Sequence, residues 1–184
     1  CLRKDIEPVA ETRAAAEDVM LVPWLSNAEL AESRETSRFD LYKKLLVEEN
    51  KRGLVPQMES ETFKILDCCH DPRVSEEQWD RRGLVYGHVQ SGKTANYVGL
   101  INRAFDIGYK VVIVLTGMTE DLRQQTQNRI DSGVIGKQGS RQYGIGKLAG
   151  FRELQKITAA TSFQQDLSKG DSWRDQNIDV RSSR

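Results

Sequence analysis

Residues Gly83 to Thr94 read GLVYGHVQSGKT, and a second stretch, Lys110 to Thr116, reads KVVIVLT. Short apolar runs of this kind predict strands, here Leu84 to Tyr86 and Lys110 to Thr116. A helical pattern from about Lys93 to Phe105 lies between them and is closed by Gly108. A strand, a crossover helix and a second strand that is apolar on both faces are typical of a parallel sheet. The sequence therefore predicts an α/β fold.

The residues from Gly87 to Thr94 match the pattern G-x-x-x-x-G-K-[S/T] at every specified position. Glycines let the backbone fold round a phosphate, and the helix that follows presents its positive end to the same anion. Lys93 supplies a mobile charge for the β and γ phosphates, and the Thr94 hydroxyl is an oxygen ligand for Mg²⁺. We therefore predict an ATP and Mg²⁺ site, with Lys93 as catalytic residue and Thr94 as metal ligand. Its cofactor-binding residues are Gly87, His88, Val89, Gln90, Ser91, Gly92, Lys93 and Thr94.

The motif refines the fold prediction to an incomplete P-loop NTPase sheet, RecA- or helicase-like, in residues 81–184. Residues 1–80 show apolar residues at helical spacing and are predicted to form a helical N-terminal extension. Within it we expect a helix from about Val9 to Met20, a second region capped by Ser26 and ending at Gly53, and a short helix capped by Ser60. The second region forms either one helix or two helices divided at the cluster from Ser33 to Arg38.

Beyond the second predicted strand, Thr119 can cap a helix through Ile130 that Ser132 and Gly133 would stop. The next stretch, residues 133–150, contains six glycines and no periodicity, and predicts a long loop. A further short strand is expected around Ile157 to Ala160.

Composition narrows the class of protein. The formal net charge is zero, but the first half of the chain is acidic and the half with the motif is basic. No apolar run approaches the roughly 20 residues of a membrane span. Three cysteines, two of them adjacent, make neither a disulfide framework nor a zinc site, so a cytoplasmic protein without membrane contact is expected.

Hydrolysis of ATP needs a carboxylate at the end of a neighbouring strand to hold Mg²⁺ through water. After Thr94, no run of four apolar residues is followed by an aspartate or glutamate in that position. Because the chain also begins with Cys1 rather than Met, we expect an excerpt of a longer protein that stops before this acidic motif.

The stretch from Arg81 to Gly136 resembles the start of the Z-one domain family of prokaryotic endonucleases. The most distinctive segments of this stretch are GLVYGHVQSGKTANY, from Gly83 to Tyr97, and LRQQTQNR, from Leu122 to Arg129. The resemblance implies a superfamily-two helicase-like P-loop ATPase that acts on DNA in restriction-type defence, with other subunits of the defence system as possible partners. It also implies that the segment from Thr116 to Gln125 corresponds to helicase motif Ia. Its candidate nucleic-acid contacts are Thr116, Arg123, Gln124 and Gln125.

The sequence thus predicts the ATP-binding part of a helicase-like, DNA-directed ATPase, coupled in the intact protein to a nuclease whose residues are not in this stretch. Two alternatives stay open. A small phosphotransferase would use the same loop to donate a γ-phosphoryl group to a metabolite, with the glycine-rich stretch as a lid. A non-catalytic interaction module would use residues 1–80 to bind partners and nucleotide to stabilise the rest.

Overall fold

The computed structural model describes residues 24–25, 37–74, 81–85, 92–115, 119–138 and 140–149, most of them helical. The helices are α1 (Arg38–Glu48), α2 (Val55–Asp67), α3 (Lys93–Asp106), α4 (Glu120–Ile130) and α5 (Ile145–Ala149). A 3₁₀ turn (Arg52–Leu54) leads into α2, and a π turn (Asp131–Ile135) continues α4. Two short strands, β1 (Lys137–Gln138) and β2 (Arg141–Gln142), pair antiparallel.

Helix α1 begins under two caps. The Ser37 hydroxyl accepts the N–H of Asp40 at 3.0 Å, as an N-cap side chain commonly does. The carboxylate of Asp106, at the end of α3, accepts the N–H groups of Arg38 and Phe39, each at 2.9 Å. The start of α1 is therefore tied to the end of α3 through N–H groups that have no partner within their own helix.

One apolar core joins α1, α2, α3, the π turn and α5, so described residues of both predicted regions, 1–80 and 81–184, contribute to it. The buried members of this core are Phe39, Leu41, Tyr42, Leu45, Leu46, Met58, Ala95, Val98, Ile101, Val134 and Ile145. The amide of Asn102, a fully buried side chain, donates to the carbonyl oxygens of Val98 at 3.0 Å and Gly133 at 2.8 Å. Helix α3 is thus fastened to the π turn as well as packed against it.

Local signals predicted two helices well and one badly. Helices α3 and α4 begin and end close to the expected residues, and the Thr119 hydroxyl accepts the N–H of Leu122 at 3.4 Å. Helix α2 begins at Val55 with Pro56 in its first turn, so the predicted cap Ser60 lies inside the helix. Proline is well suited to the first turn because it has no N–H to leave unpaired.

The predicted loop over residues 133–150 is also wrong in its described part. Residues 133–135 belong to the π turn, which continues past Ser132 and Gly133, where the helix was expected to end. The chain then forms the β1–β2 hairpin and α5. Gly136 ends the π turn at φ 79°, in the left-handed region that favours glycine. The helix expected to end at Gly53 begins at Arg38 and ends at Glu48, so a division near Arg38 is confirmed and the expected end is wrong. The helix of Val9 to Met20, the Ser26 cap and the strand around Ile157 lie outside the described residues.

The predicted α/β fold with a parallel sheet is contradicted by the structure. In the described part of the chain the sheet consists of β1 and β2 alone, and they are antiparallel. Residues 84–85 and 110–115, the described parts of the two predicted strands, form no ladder. Their apolar side chains are exposed, 68% for Leu84, 66% for Ile113 and 91% for Leu115. β-Branched residues favour a strand when neighbouring strands and helices cover them, and here the described helices pack on one another instead.

Among the helices that the structure describes, none combines the length and the apolar character needed to cross a lipid bilayer.

Candidate phosphate-binding site

The structure describes the last three residues of the predicted phosphate motif. Gly92, Lys93 and Thr94 open helix α3. Gly87, His88, Val89, Gln90 and Ser91 lie outside the described residues, and so does Thr116 of the predicted nucleic-acid contacts. The geometry of the site is therefore built from the helix start and from what packs against it.

Gly92 has the backbone conformation that a phosphate-binding turn requires. Its φ and ψ are 81° and 13°, in the left-handed region, and the next residue, Lys93, is already helical. A left-handed residue beside a right-handed one turns successive N–H groups toward the same side, which makes a concavity that suits an anion. A Cβ on Gly92 would lie 3.3 Å from Cδ2 of Leu54, the end of a side chain that can shift, so the backbone conformation is what favours glycine here.

Among the described residues, no side chain caps the N-terminus of α3. The helix's first backbone hydrogen bond runs from the N–H of Asn96 to the carbonyl of Gly92 at 3.1 Å, and its first turn contains no acidic residue. Aligned peptide dipoles leave partial positive charge at such an end, which favours a negatively charged group. This helix start is therefore suited to a phosphate.

Arg129 lies against the motif, a contact that the sequence did not predict. Its Nη1 donates to Oγ1 of Thr94 at 3.0 Å, which joins the last turn of α4 to the first turn of α3. The side chain of Arg129 is exposed, and Thr94 is partly buried. A basic residue in the last turn of a helix suits the helix dipole, and this signal alone gives no reason to expect the contact.

A small polar cavity lies beside Gly92, between the starts of α2 and α3. Its volume is about 10 Å³, space for a single water molecule. Glu61, which is 5% exposed, accepts from Nε2 of Gln57 at 2.7 Å and from the amide of Asn96. The other amide atom, Oδ1 of Asn96, is buried and has no hydrogen-bond partner among the described residues. The cavity is too small for a nucleobase, so its polar groups serve to join α2 to α3.

The described part of the site could hold Mg²⁺ only together with a bound phosphate. Mg²⁺ in nucleotide sites keeps several waters and takes one or two protein oxygens together with phosphate oxygens. The Thr94 hydroxyl, in the first turn of an uncapped helix, is an oxygen ligand of that kind. The described residues contain no group of three histidine, cysteine, aspartate or glutamate side chains that could hold a metal by themselves. A metal here would therefore depend on the phosphates of a bound nucleotide.

The described candidates for nucleic-acid contact are on α4, and two of them are engaged by Glu120. Arg123 donates to its carboxylate from Nε at 2.9 Å and from Nη2 at 2.6 Å, and Gln124 donates from Nε2 at 2.8 Å. These bonds lower the pKa of Glu120 to about 2. Gln125 lies on the same helix and is exposed. A nucleic acid would have to compete with Glu120 for the guanidinium of Arg123.

Comparison with family models, with curated proteins and with solved structures returned no match for this chain.

Proposed function

We propose that this chain binds a nucleoside triphosphate, ATP with Mg²⁺, through residues 87–94, as the nucleotide-binding part of a DNA-directed ATPase. The observation that supports it is the left-handed Gly92, the second glycine of the motif, at the start of a helix that no described side chain caps. Either feature alone is common. A left-handed glycine, an uncapped helix start and a lysine and a threonine in the first turn together form the elements of a phosphate site.

Each described residue has a separate part in binding. The N–H groups that follow Gly92 would donate to phosphate oxygens, and the helix dipole favours the same charge. Lys93 would add a full positive charge on a flexible stem. The Thr94 hydroxyl would hold Mg²⁺, which neutralises charge on the β and γ phosphates when it is bound. These roles account for binding of the nucleotide; hydrolysis needs an acid that the motif does not contain.

Replacing Lys93 by alanine should weaken ATP binding by roughly 10- to 100-fold, because one charge-assisted contact to phosphate is lost. The measurement is the affinity of the full chain for a fluorescent ATP analogue with Mg²⁺. Lys147→Ala, at an exposed lysine of α5, is the matched control and should bind as the wild type does. Equal affinities for the wild type and Lys93→Ala would refute the proposal.

The DNA-directed part of the proposal concerns α4. Arg123 and Gln124 would contact a nucleic-acid backbone after releasing Glu120, and Gln125 would join them from the same helix. Contacts of this kind go to phosphates and carry no base specificity. The resemblance to a helicase motif Ia supports this assignment, and so does the solvent exposure of the Glu120 carboxylate, 59% for the side chain, which makes it displaceable.

Glu120→Gln should tighten binding of a single-stranded oligonucleotide several-fold at low salt, since it removes the charge that competes for Arg123. Fluorescence anisotropy of a labelled oligonucleotide measures the effect. Asp121→Asn is the matched control because it removes the same charge from the same exposed turn without releasing Arg123. If both variants bind alike, the gain comes from net charge and the role of Arg123 is wrong.

A further inference from the structure

The contact between Arg129 and Thr94 has no part in the binding roles described so far. It joins residues 35 positions apart, from the end of α4 to the start of α3. The hydroxyl that Arg129 touches belongs to the last residue of the phosphate motif. In motifs of this type that hydroxyl serves the Mg²⁺ which bridges the β and γ phosphates. A group bonded to Thr94 is therefore beside the terminal phosphates and away from the nucleoside.

The chemistry of arginine suits that position. A guanidinium has five N–H donors in a planar fork, and the contact with Thr94 uses one of them. A hydroxyl is a weak, uncharged acceptor, whereas a phosphate oxygen accepts charge-assisted and often paired hydrogen bonds. Because the Arg129 side chain is exposed, it can rotate from the hydroxyl to a phosphate without disturbing the core.

Binding of Mg²⁺ to Thr94 would displace the Arg129 guanidinium from the Thr94 hydroxyl. The Thr94 oxygen that accepts from the guanidinium is the atom that would be a ligand of Mg²⁺. A guanidinium and a divalent cation repel one another when they share one small oxygen, so the two compete for it. A terminal phosphate gives Arg129 a better partner and frees the hydroxyl.

We propose that Arg129 is a specificity-determining residue, which pairs with the terminal phosphate of the bound nucleotide and makes the site prefer a triphosphate to a diphosphate. This inference rests on the proposed function, since it needs a nucleotide at residues 87–94. Thr94 holds the guanidinium close by while no phosphate is present.

The test compares affinities for ATP and ADP. We would titrate the full-length wild type and three variants: Arg129→Gln, Arg129→Lys and a control, Arg141→Gln on β2. Each protein is titrated with fluorescent analogues of both nucleotides, with Mg²⁺ and again with EDTA. Arg129→Gln should weaken ATP binding about tenfold in Mg²⁺ and leave ADP binding within about twofold. The lysine variant, which keeps the charge and loses the fork, should fall between, and Arg141→Gln should match the wild type.

The ratio of the two affinities separates specificity from structure. If Arg129 only ties α4 to α3, Arg129→Gln will weaken ATP and ADP equally, and the inference is overturned. It is also overturned if neither affinity changes. Should the wild type bind neither nucleotide, or Lys93→Ala bind both normally, the proposed function fails and this inference fails with it. Normal binding with an unchanged ratio in Arg129→Gln would remove this inference alone.

Discussion

Replacing Gly146 by alanine should lower the free energy of unfolding by about 3 kcal/mol or more, at the upper end of what overpacking costs. A Cβ at this position of α5 would lie 1.8 Å from the carbonyl oxygen of Gly136 and 2.7 Å from its carbonyl carbon. These are backbone atoms, and hydrogen bonds hold them in place. The Gly136 carbonyl accepts the N–H of Tyr143 at 2.9 Å, and the Gly136 N–H donates to the backbone carbonyl of Asp131 at 2.8 Å. Relief of the clash therefore requires α5 to move away from the π turn.

Urea unfolding followed by circular dichroism measures this loss. Gly53→Ala is the matched control, because Gly53 has no neighbouring atom within 4 Å of an added Cβ and no left-handed φ. That change should leave stability within about 1 kcal/mol of the wild type, since alanine restricts the unfolded chain at little native cost. A Gly146→Ala protein as stable as the Gly53 variant would mean that α5 does not pack on the π turn as described.

The glycines of residues 133–150 explain why the predicted loop was wrong. Six glycines without periodicity are typical of a loop, and composition alone does not distinguish conformational freedom from close approach. Gly133 and Gly144, like Gly146, are places where an added Cβ would meet another group at less than 3 Å. The nearest atom to Gly144 is the carbonyl oxygen of Ser132, at 2.0 Å from the Cβ position. For Gly133 and Gly146 the reason for glycine is tertiary, so only the fold reveals it, whereas Gly144 also has a positive φ of 51°.

The prediction of two strands was wrong for a related reason. Five of the seven residues from Lys110 to Thr116 are β-branched, and the pattern predicts burial on both faces. A strand needs partners on its edges as well as suitable residues, and a single sequence segment does not specify partners. By contrast, helices α3 and α4 were predicted because their boundaries are local: Thr119 caps one, and Gly108, at φ 109°, follows the other.

The candidate site likewise contains residues that the sequence predicted and one that only the structure revealed. The motif identified Gly92, Lys93 and Thr94 from spacing alone, and the structure adds the conformation of Gly92 and the open helix end. Arg129 could not be found from spacing, because its distance from Thr94 depends on how α4 crosses α3. Local patterns therefore identified the candidate phosphate residues, while the residue that would set the preference among phosphates required the fold.

Replacing Asp106 by alanine should also cost about 3 kcal/mol. Its two oxygens accept one N–H each, from Arg38 and Phe39, and each orphaned N–H in this partly buried place costs about 1–3 kcal/mol. Asp106→Asn keeps one of the two acceptors and should lose about half as much. Asp121→Ala, at an exposed acid in the first turn of α4, is a control that should change stability by less than about 0.5 kcal/mol.

The pH dependence of the asparagine variant tests the charge of Asp106 separately from its shape. Burial raises the pKa of this carboxyl above the ordinary 3.8, against the opposing effect of the two N–H groups and of Arg38, whose own pKa burial lowers to about 10. The folded protein thus holds this proton more tightly than the unfolded chain does. The stability that comes from this raised pKa is fully present below pH 3.8 and is lost as the pH rises through the raised value.

Asp106→Asn lacks this titration, so its deficit relative to the wild type should shrink as the pH rises from about 3 to 7. Urea unfolding of both proteins at each pH gives the difference directly, and contributions from other titrating groups cancel where the two folds are the same. A deficit that grows with pH would mean that the N–H groups and Arg38 outweigh burial. Asp106 would then stabilise the start of α1 by its charge rather than in spite of it.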